Sequence, residues 1–261
     1  MLETLLVTKG HPYERQPFYA MFDDMQDVNW TLVEQPAAQA LFSVEQAAQF
    51  DAFVCYDMPG IVFDPIAGNP PHFIEPPDQY KARFMELVEH GHGFVFLHHA
   101  IAGWPAWPEF AELLGGRFLY MPAELRGRAC QDSGYRHEVT HTVRSIGDHP
   151  VLKDLPQSFE ITDELYLFEV FEDDVEPLLK SDYDFDASNF YSAAQAVRDG
   201  KMFSNAGWSH DPGSRLVGWT REVGKSRIVY LQCGDDAVAY SNQHFQRLIN
   251  NAIRWVSEAS A

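Results

Sequence analysis

The sequence has few positive charges: 19 lysines and arginines stand against 38 aspartates and glutamates, and the formal net charge is -19. An acidic surface of this kind repels phosphate backbones and anionic lipids. We therefore expect neither a nucleic acid nor a membrane as a partner, and a small molecule becomes the expected ligand. The excess of acid favours solubility instead.

Cysteine and long apolar runs are also scarce. Cys55, Cys130 and Cys233 are far apart in the chain, which predicts buried reduced thiols and no disulfide framework. No apolar run approaches the roughly 20 residues of a membrane-spanning helix. No cationic start followed by an apolar core precedes residue 15, so a secretory signal is not indicated. These features predict a soluble cytoplasmic protein, and a homo-oligomer is compatible with them.

The size and composition are sufficient for one large core. The chain has 261 residues, of which 46% are hydrophobic and 14% aromatic. Strand-like and helix-like patterns alternate along its length, and no internal repeat, low-complexity tract or linker interrupts them. We therefore predict a single α/β domain over 1–261.

The most informative stretch is the apolar run Gly93–Leu97, which is followed directly by His98 and His99. A short run with no polar position predicts a strand covered on both faces, as in the middle of a parallel sheet. Ligands of open α/β sheets bind beyond the carboxyl ends of the strands. Adjacent side chains of an extended chain point to opposite faces, so one histidine is expected in a pocket and the other in packing, unless the turn has already begun.

The first part of the chain has β-α-β-α-β spacing, which predicts parallel strands. Strands are predicted at 2–8, 30–33 and 52–56, with a helix around 18–25 and a short helix capped by Ser43. His11 and Asp57 follow the first and third strands. The proline-rich segment 58–77 is either an ordered flap beside the site or a disordered insertion.

The rest of the chain predicts alternating helices and strands. Helices are expected around 80–88, closed by Gly91, and at 107–114, stopped by Gly115. Residues 117–136 are predicted to be irregular, and 137–146 to form a strand. A β-rich run over 163–179, a polar excursion over 181–201, a hairpin of 215–223 with 227–232, and a helix over 245–256 complete the prediction.

Several short motifs occur in an order that resembles one family, the ThuA-like (trehalose utilisation) proteins. The motifs are Lys9-Gly10-His11, Gly93–His99, Trp107–Phe110, Leu113–Phe118, His149-Pro150-Val151, Asp163–Tyr166, Trp219-Thr220-Arg221, Gly224–Arg227 and Gly234-Asp235-Asp236. The resemblance covers essentially the whole chain. It implies a flavodoxin-like, class I glutamine amidotransferase-like three-layer sandwich with a mostly parallel central sheet, in which the first strand lies beside the central one. It also implies a role in carbohydrate metabolism.

Two departures bear on the chemistry that the resemblance implies. Amidotransferases of this fold carry a nucleophilic Cys on the turn after the central strand, whereas this chain has His98 and His99 there and no Cys, Ser or Thr. We therefore expect no Cys-dependent glutaminase activity. Members of the family commonly have Gly-His-Asp after the last strand, whereas this chain has Asp235 at the histidine position. An Asp replaces a His as a ligand or hydrogen-bond acceptor more readily than as a proton shuttle near neutral pH.

The ionisable groups at strand ends are the candidate site residues. His11, His98, His99, Glu164 and Asp235 are the candidate catalytic residues, and Asp57, Trp104, Tyr166 and Asp236 are the candidate substrate-binding residues. A strand places Glu164 and Tyr166 on one face and Asp163 on the other. Imidazoles and carboxylates move protons and also bind Zn or Mn, so a divalent metal is compatible with this set, although the spacing matches no known metal signature.

Two functions fit these residues. The first is an enzyme acting on a sugar or keto-sugar as a hydrolase, lyase or isomerase, by His and carboxylate acid-base or metal-assisted chemistry. The second is a non-catalytic carbohydrate-binding or regulatory protein on an amidotransferase-like scaffold. Trp104, Trp107 and Tyr120 are a candidate stacking platform for a sugar ring. The arginines between Arg117 and Arg136 either bind an anion or are solvated.

Overall fold

The computed structural model describes residues 1–258, and its strands account for most of the predicted ones. The strands are β1 (Leu2–Lys9), β2 (Val28–Glu34), β3 (Ala52–Asp57), β4 (Ile61–Val62), β5 (His72–Phe73), β6 (Gly93–Leu97), β7 (Gly116–Arg117), β8 (Ala123–Leu125), β9 (Arg128–Cys130), β10 (Gly134–Ser145), β11 (Ser158–Leu167), β12 (Glu169–Val170), β13 (Glu176–Ser181), β14 (Tyr191–Ser192), β15 (Leu216–Val223) and β16 (Ser226–Leu231).

The α-helices are α1 (Arg15–Asp23), α2 (Val44–Ala47), α3 (Asp78–His90), α4 (Pro108–Leu114), α5 (Ala193–Val197), α6 (Ala237–Tyr240) and α7 (Gln243–Ser257). A side-chain cap or a glycine marks the ends of several of them. Ser43 caps α2 by accepting from the Gln46 backbone N–H, and α3 and α4 stop at Gly91 and Gly115, where φ is 94° and 81°. Glycine adopts this left-handed conformation without the steric cost of a Cβ. Among the described residues, no helix combines the length and apolar character that a bilayer span requires.

One large sheet organises the fold, with strand order β11-β10-β13-β15-β16-β6-β3-β1-β2. The strands from β16 through β6, β3 and β1 to β2 are parallel, whereas β11, β10, β13 and β15 pair antiparallel. The prediction that Gly93–Leu97 lies near the middle of a sheet that is parallel in its core is confirmed. One detail is wrong: β1 does not neighbour β6, because β3 pairs with both and separates them.

The central strand is covered on both faces, as its apolar sequence predicts. Val95 and Leu97 lie in the core beneath α1 and α7, whereas Phe94 and Phe96 lie in the core beneath α3 and α4. Because successive strand residues point to opposite faces, each face of β6 contributes to a different core. No residue of β6 is polar, and His98, directly after Leu97, has the first polar side chain.

Two predicted irregular regions contain more structure than their sequences indicate. Residues 117–136, predicted to be irregular, include the hairpin of β8 and β9 and the start of β10. Residues 181–201, predicted to be a polar excursion, include β14 and α5. The segment 58–77 is ordered by the small β4–β5 hairpin and by a bond from the Gly68 N–H to the Arg198 carbonyl. Of these features, β14 and the Gly68–Arg198 bond depend on contacts with distant residues, which a local pattern does not reveal.

Candidate functional site

The turn after β6 holds His98 in a fixed orientation. His98 lies in a short 3-10 turn, has φ of 46° and is fully buried. Positive φ is uncommon for a residue other than glycine and marks a backbone held by its surroundings. The His98 Nδ1–H donates to the Gln232 carbonyl at 2.6 Å. Its other ring nitrogen, Nε2, is therefore the atom that faces the site.

Three oxygen-bearing side chains surround His98 Nε2. It lies 2.7 Å from the Tyr166 hydroxyl, 3.2 Å from Glu164 Oε2 and 3.4 Å from Asp235 Oδ1. Glu164 and Tyr166 share one face of β11, as their spacing predicts, and Asp235 follows β16. The fold thus brings together Glu164, Asp235 and one of the two adjacent histidines. We call His98, Glu164 and Asp235 the His98 cluster.

Asp163 positions two members of the His98 cluster from the opposite face of β11. Its carboxylate accepts backbone N–H groups from Gly234 at 2.6 Å, Asp235 at 3.0 Å and Glu164 at 2.9 Å. Burial raises the pKa of Asp163 to about 7. This side chain ties the end of β16 to β11, and it therefore sets where Asp235 stands relative to Glu164.

His137 belongs to the site, although its sequence pattern predicted only the start of a strand. Its Nδ1 lies 3.4 Å from Glu164 Oε1 and 3.9 Å from Asp235 Oδ2. The pairing of β10 with β11 shifts register between Arg136 and Val139, and Glu138 has φ of 55°. Bulges of this kind re-aim a side chain. No local signal in the sequence marks the bulge, because it arises from pairing with β11.

His11 and His99 form a second histidine pair beside the His98 cluster. Their ring centroids are 4.6 Å apart, and His99 Nε2–H donates to the Tyr56 carbonyl at 3.1 Å. Both adjacent histidines are buried because the chain has already turned at His98. His98 contacts the carboxylates, whereas His99 packs between His11 and Tyr56. His11, at the end of the first strand, lines the cavity described next.

A cavity of about 340 Å³ opens above these groups. His11, His137, Glu164 and Tyr166 form its polar side. Its other walls are apolar or aromatic and are formed by Phe63, Phe118, Tyr120, Tyr135, Ala193, Ala196, Val197 and Met202. No lysine or arginine is among the described residues that line it. A few ionisable groups in a mostly apolar pocket are typical of a small-molecule site.

The charges of the His98 cluster are coupled. Burial alone would lower the pKa of His98, but the carboxylates of Asp235 and Glu164 outweigh burial and raise that pKa well above its ordinary value. Burial would raise the pKa of Asp235, but hydrogen bonds from His137 and His98 hold it well below its usual range. Burial and the neighbouring His11 and His98 lower the pKa of His99 well below its ordinary value. Imidazole and carboxylate therefore stabilise each other's charged forms among His98, His137 and Asp235, whereas the His99 imidazole is held in its neutral form.

Three predicted substrate-binding residues do not line the cavity. Asp57 is buried at the end of β3, where the Gln35 amide donates to it at 2.8 Å. Trp104 is buried against Tyr80. Asp236 caps α6 by accepting the N–H groups of the helix start. Of the predicted substrate-binding residues, Tyr166 alone faces the cavity, since the other three have structural partners instead.

The predicted aromatic platform and arginine cluster are also not assembled. Tyr120 lines the cavity, but Trp104 and Trp107 pack in the core. The arginines are dispersed among separate partners: Arg117 donates to main-chain carbonyls, Arg126 pairs with Glu112 and Asp174, Arg128 pairs with Glu169, and Arg136 contacts Tyr191. They therefore form no common anion site. The three cysteines are free and buried, as predicted.

Comparison with known proteins gives the fold a family context. A family model described as ThuA, trehalose utilisation, matches residues 5–256. None of the curated proteins searched matches the sequence. Solved structures described as ThuA-like proteins, from Parabacteroides merdae and Bacteroides uniformis, each show 18% identity and a TM-score of 0.63. Both alignments cover 98% of this chain, and they cover 90% and 91% of the two relatives.

The same architecture occurs in amidotransferase-related proteins. A structure described as a GMP synthase subunit, from Thermoplasma acidophilum, has 10% identity and a TM-score of 0.51, and the match covers 99% of this chain and 96% of that one. Identities this low show the common fold alone. The amidotransferase-like fold prediction is confirmed.

Proposed function

Since the chain belongs to the ThuA (trehalose utilisation) family, we propose that it is an enzyme of carbohydrate metabolism that acts on a sugar or keto-sugar. The observation that carries this proposal is the His98 cluster: one buried imidazole nitrogen faces two carboxylates and a phenol. Of these groups, Glu164 and Tyr166 line a small cavity. Side chains that only stabilised the fold would not need this concentration of proton-transfer groups beside an open cavity.

The geometry supports a role for each group around His98 Nε2. The bond from Nδ1–H to the Gln232 carbonyl fixes the ring and directs Nε2 toward Glu164 and Tyr166, which line the cavity. Tyr166, at 2.7 Å, can donate a hydrogen bond or a proton to a sugar oxygen. Glu164 lines the cavity and can accept a proton from a hydroxyl or from a carbon beside a carbonyl. Hydrolase, lyase and isomerase chemistry all require such an acid and base on one ligand.

The cavity suits an uncharged ligand with apolar ring faces. Phe118, Tyr120 and Tyr135 offer aromatic surface, which matches the C–H face of a pyranose. The lining residues described carry carboxylate and imidazole groups and no lysine or arginine, so a phosphate group would lack a fixed positive partner. The acidic surface is in keeping with a small-molecule ligand in the cytoplasm rather than nucleic acid or a membrane.

Thiol chemistry is not part of this proposal. His98 stands on the turn after β6, and burial raises the pKa of Cys55 and Cys233 well above the ordinary thiol value. A buried neutral thiol is a weak nucleophile. The reaction is therefore assigned to imidazole and carboxylate groups.

Turnover of a panel of glycosides and keto-sugars, followed by NMR with and without added divalent metal, tests the proposal. Glu164→Gln keeps the size of the side chain and removes its basicity, and it should lower the rate on any accepted sugar by about 100-fold or more. Glu160→Gln is the matched control, because Glu160 lies on the same strand, is exposed and should tolerate the same change.

Two outcomes would contradict the enzyme assignment. Sugars that bind without turnover would indicate the alternative, a non-catalytic carbohydrate-binding or regulatory protein. Equal rates in the Glu164→Gln and Glu160→Gln variants would place the chemistry on other residues.

A further inference from the structure

The two carboxylates of the His98 cluster are largely withdrawn from water and lie beside two imidazoles, those of His98 and His137. The side chains of Glu164 and Asp235 are 5% and 19% exposed. Their ion-pair partners among the described residues are His98 and His137, and both carboxylates share those two imidazoles. Two carboxylates removed from water need a compensating cation or proton.

The spacing of the donor atoms matches the coordination shell of a small metal ion. His98 Nε2 is 3.2 Å from Glu164 Oε2 and 3.4 Å from Asp235 Oδ1, and one donor atom from each residue lies within 4.8 Å of the others. Ligands held about 2.0–2.2 Å from a tetrahedral zinc ion are separated by roughly 3.3 Å. Both imidazole–carboxylate separations are thus the lengths expected between neighbouring ligands of one ion.

Bonds behind the donor atoms orient them in the way that metal ligands are usually oriented. A metal-bound histidine typically donates its second N–H to a carbonyl or carboxylate, and His98 Nδ1–H donates to the Gln232 carbonyl at 2.6 Å. Asp163 accepts the Asp235 and Glu164 backbone N–H groups. Two ligand-bearing segments that are distant in sequence are therefore held by one side chain.

We propose that His98, Glu164 and Asp235 bind one divalent transition-metal ion. One imidazole and two carboxylates suit Zn²⁺ or Mn²⁺. Ca²⁺ and Mg²⁺ instead favour sites made of oxygen ligands alone. Glu164 and His137 line the cavity, and His137 lies close to both carboxylates, so an ion held by Glu164 would lie beside the proposed sugar site. The inference deepens the proposed function, since it assigns an ion at the floor of that site.

Metal binding is measured on the full chain after chelator treatment and dialysis. We expect ICP mass spectrometry to find about one equivalent of Zn²⁺ or Mn²⁺ retained per chain after reloading, and the melting temperature to rise with the metal. Glu164→Gln should weaken binding at least tenfold by calorimetry, whereas Glu160→Gln should bind as the unmodified protein does. Asp235→Asn provides a second, partly exposed position if the first variant proves unstable by circular dichroism.

Metal binding and sugar turnover are measured separately, so each can be present without the other. The metal site would be overturned if no metal were retained and the melting temperature did not change, or if the Glu164→Gln and Glu160→Gln variants bound metal equally well. The two carboxylates would then be balanced by protons shared with His98 and His137. Turnover of a sugar by the metal-free protein would then uphold the proposed function alone. Stoichiometric metal binding without any sugar binding or turnover would uphold the metal site alone.

Discussion

His141 offers a quantitative test of the burial seen in the antiparallel half of the sheet. Its side chain is 4% exposed, Nδ1 lies 2.8 Å from the Ser181 hydroxyl, and Nε2 has no hydrogen-bond partner among the described residues. Burial lowers the pKa of His141 from 6.5 to about 4, although the charge of Asp182 opposes the shift. The folded state therefore contains a neutral imidazole that the unfolded state protonates more readily.

The difference between the folded and unfolded pKa values of His141 fixes the sign and size of its effect on stability as the pH changes. Because the folded pKa of His141 is depressed, the unfolded chain binds more protons between pH 6.5 and about 4, and stability is lost as the pH falls through that range. At pH 5 the two pKa values give a loss of about 2 kcal/mol relative to pH 7.5. The loss is about 3 kcal/mol at pH 4 and approaches its full value only below that pH.

Urea unfolding at pH 7.5 and pH 5 measures this loss. His141→Gln keeps a hydrogen-bonding side chain but does not titrate, so its free energy of unfolding should fall by about 2 kcal/mol less than that of the unmodified protein over this pH interval. His72→Gln, at an exposed histidine, should leave the pH dependence as it is. Parallel pH profiles for the unmodified protein and His141→Gln would refute the reasoning that burial keeps this imidazole neutral.

Two further substitutions test the central strand and the support of the site. Gly93→Ala would place a Cβ 2.3 Å from the Val256 carbonyl oxygen of α7, so we expect urea unfolding to show a loss of about 1–3 kcal/mol, and a change near zero would show that α7 can move away. Asp163→Asn removes the carboxylate that accepts the Gly234 and Asp235 N–H groups; calorimetry should show metal affinity weakened by about 10–100-fold with the fold retained by circular dichroism. Unchanged affinity in a folded Asp163→Asn variant would mean that this carboxylate does not position Asp235.

Local patterns were sufficient to predict the central strand and the face that β11 presents to the site, but not α5, which lines the cavity. An apolar run such as Gly93–Leu97 is covered on both faces wherever it lies, so its burial and central position could be inferred before any contact was known. The period of two along a strand likewise placed Glu164 and Tyr166 on one face. These properties depend on a few consecutive residues, which is why the sequence reveals them.

Tertiary structure alone decided which side chains reach the cavity. His137 enters the site through a bulge created by pairing with β11, and Glu138 takes φ of 55° to allow it. Asp57 and Asp236 also follow strands, yet one is satisfied by Gln35 and the other by the N–H groups of α6. The sequence marks polar residues at strand ends as candidates, but whether such a side chain is already satisfied depends on the partners that the fold gives it, as Gln35 does for Asp57. That choice is set by three-dimensional packing, because a polar group whose hydrogen bonds are satisfied within the fold is not available to a ligand.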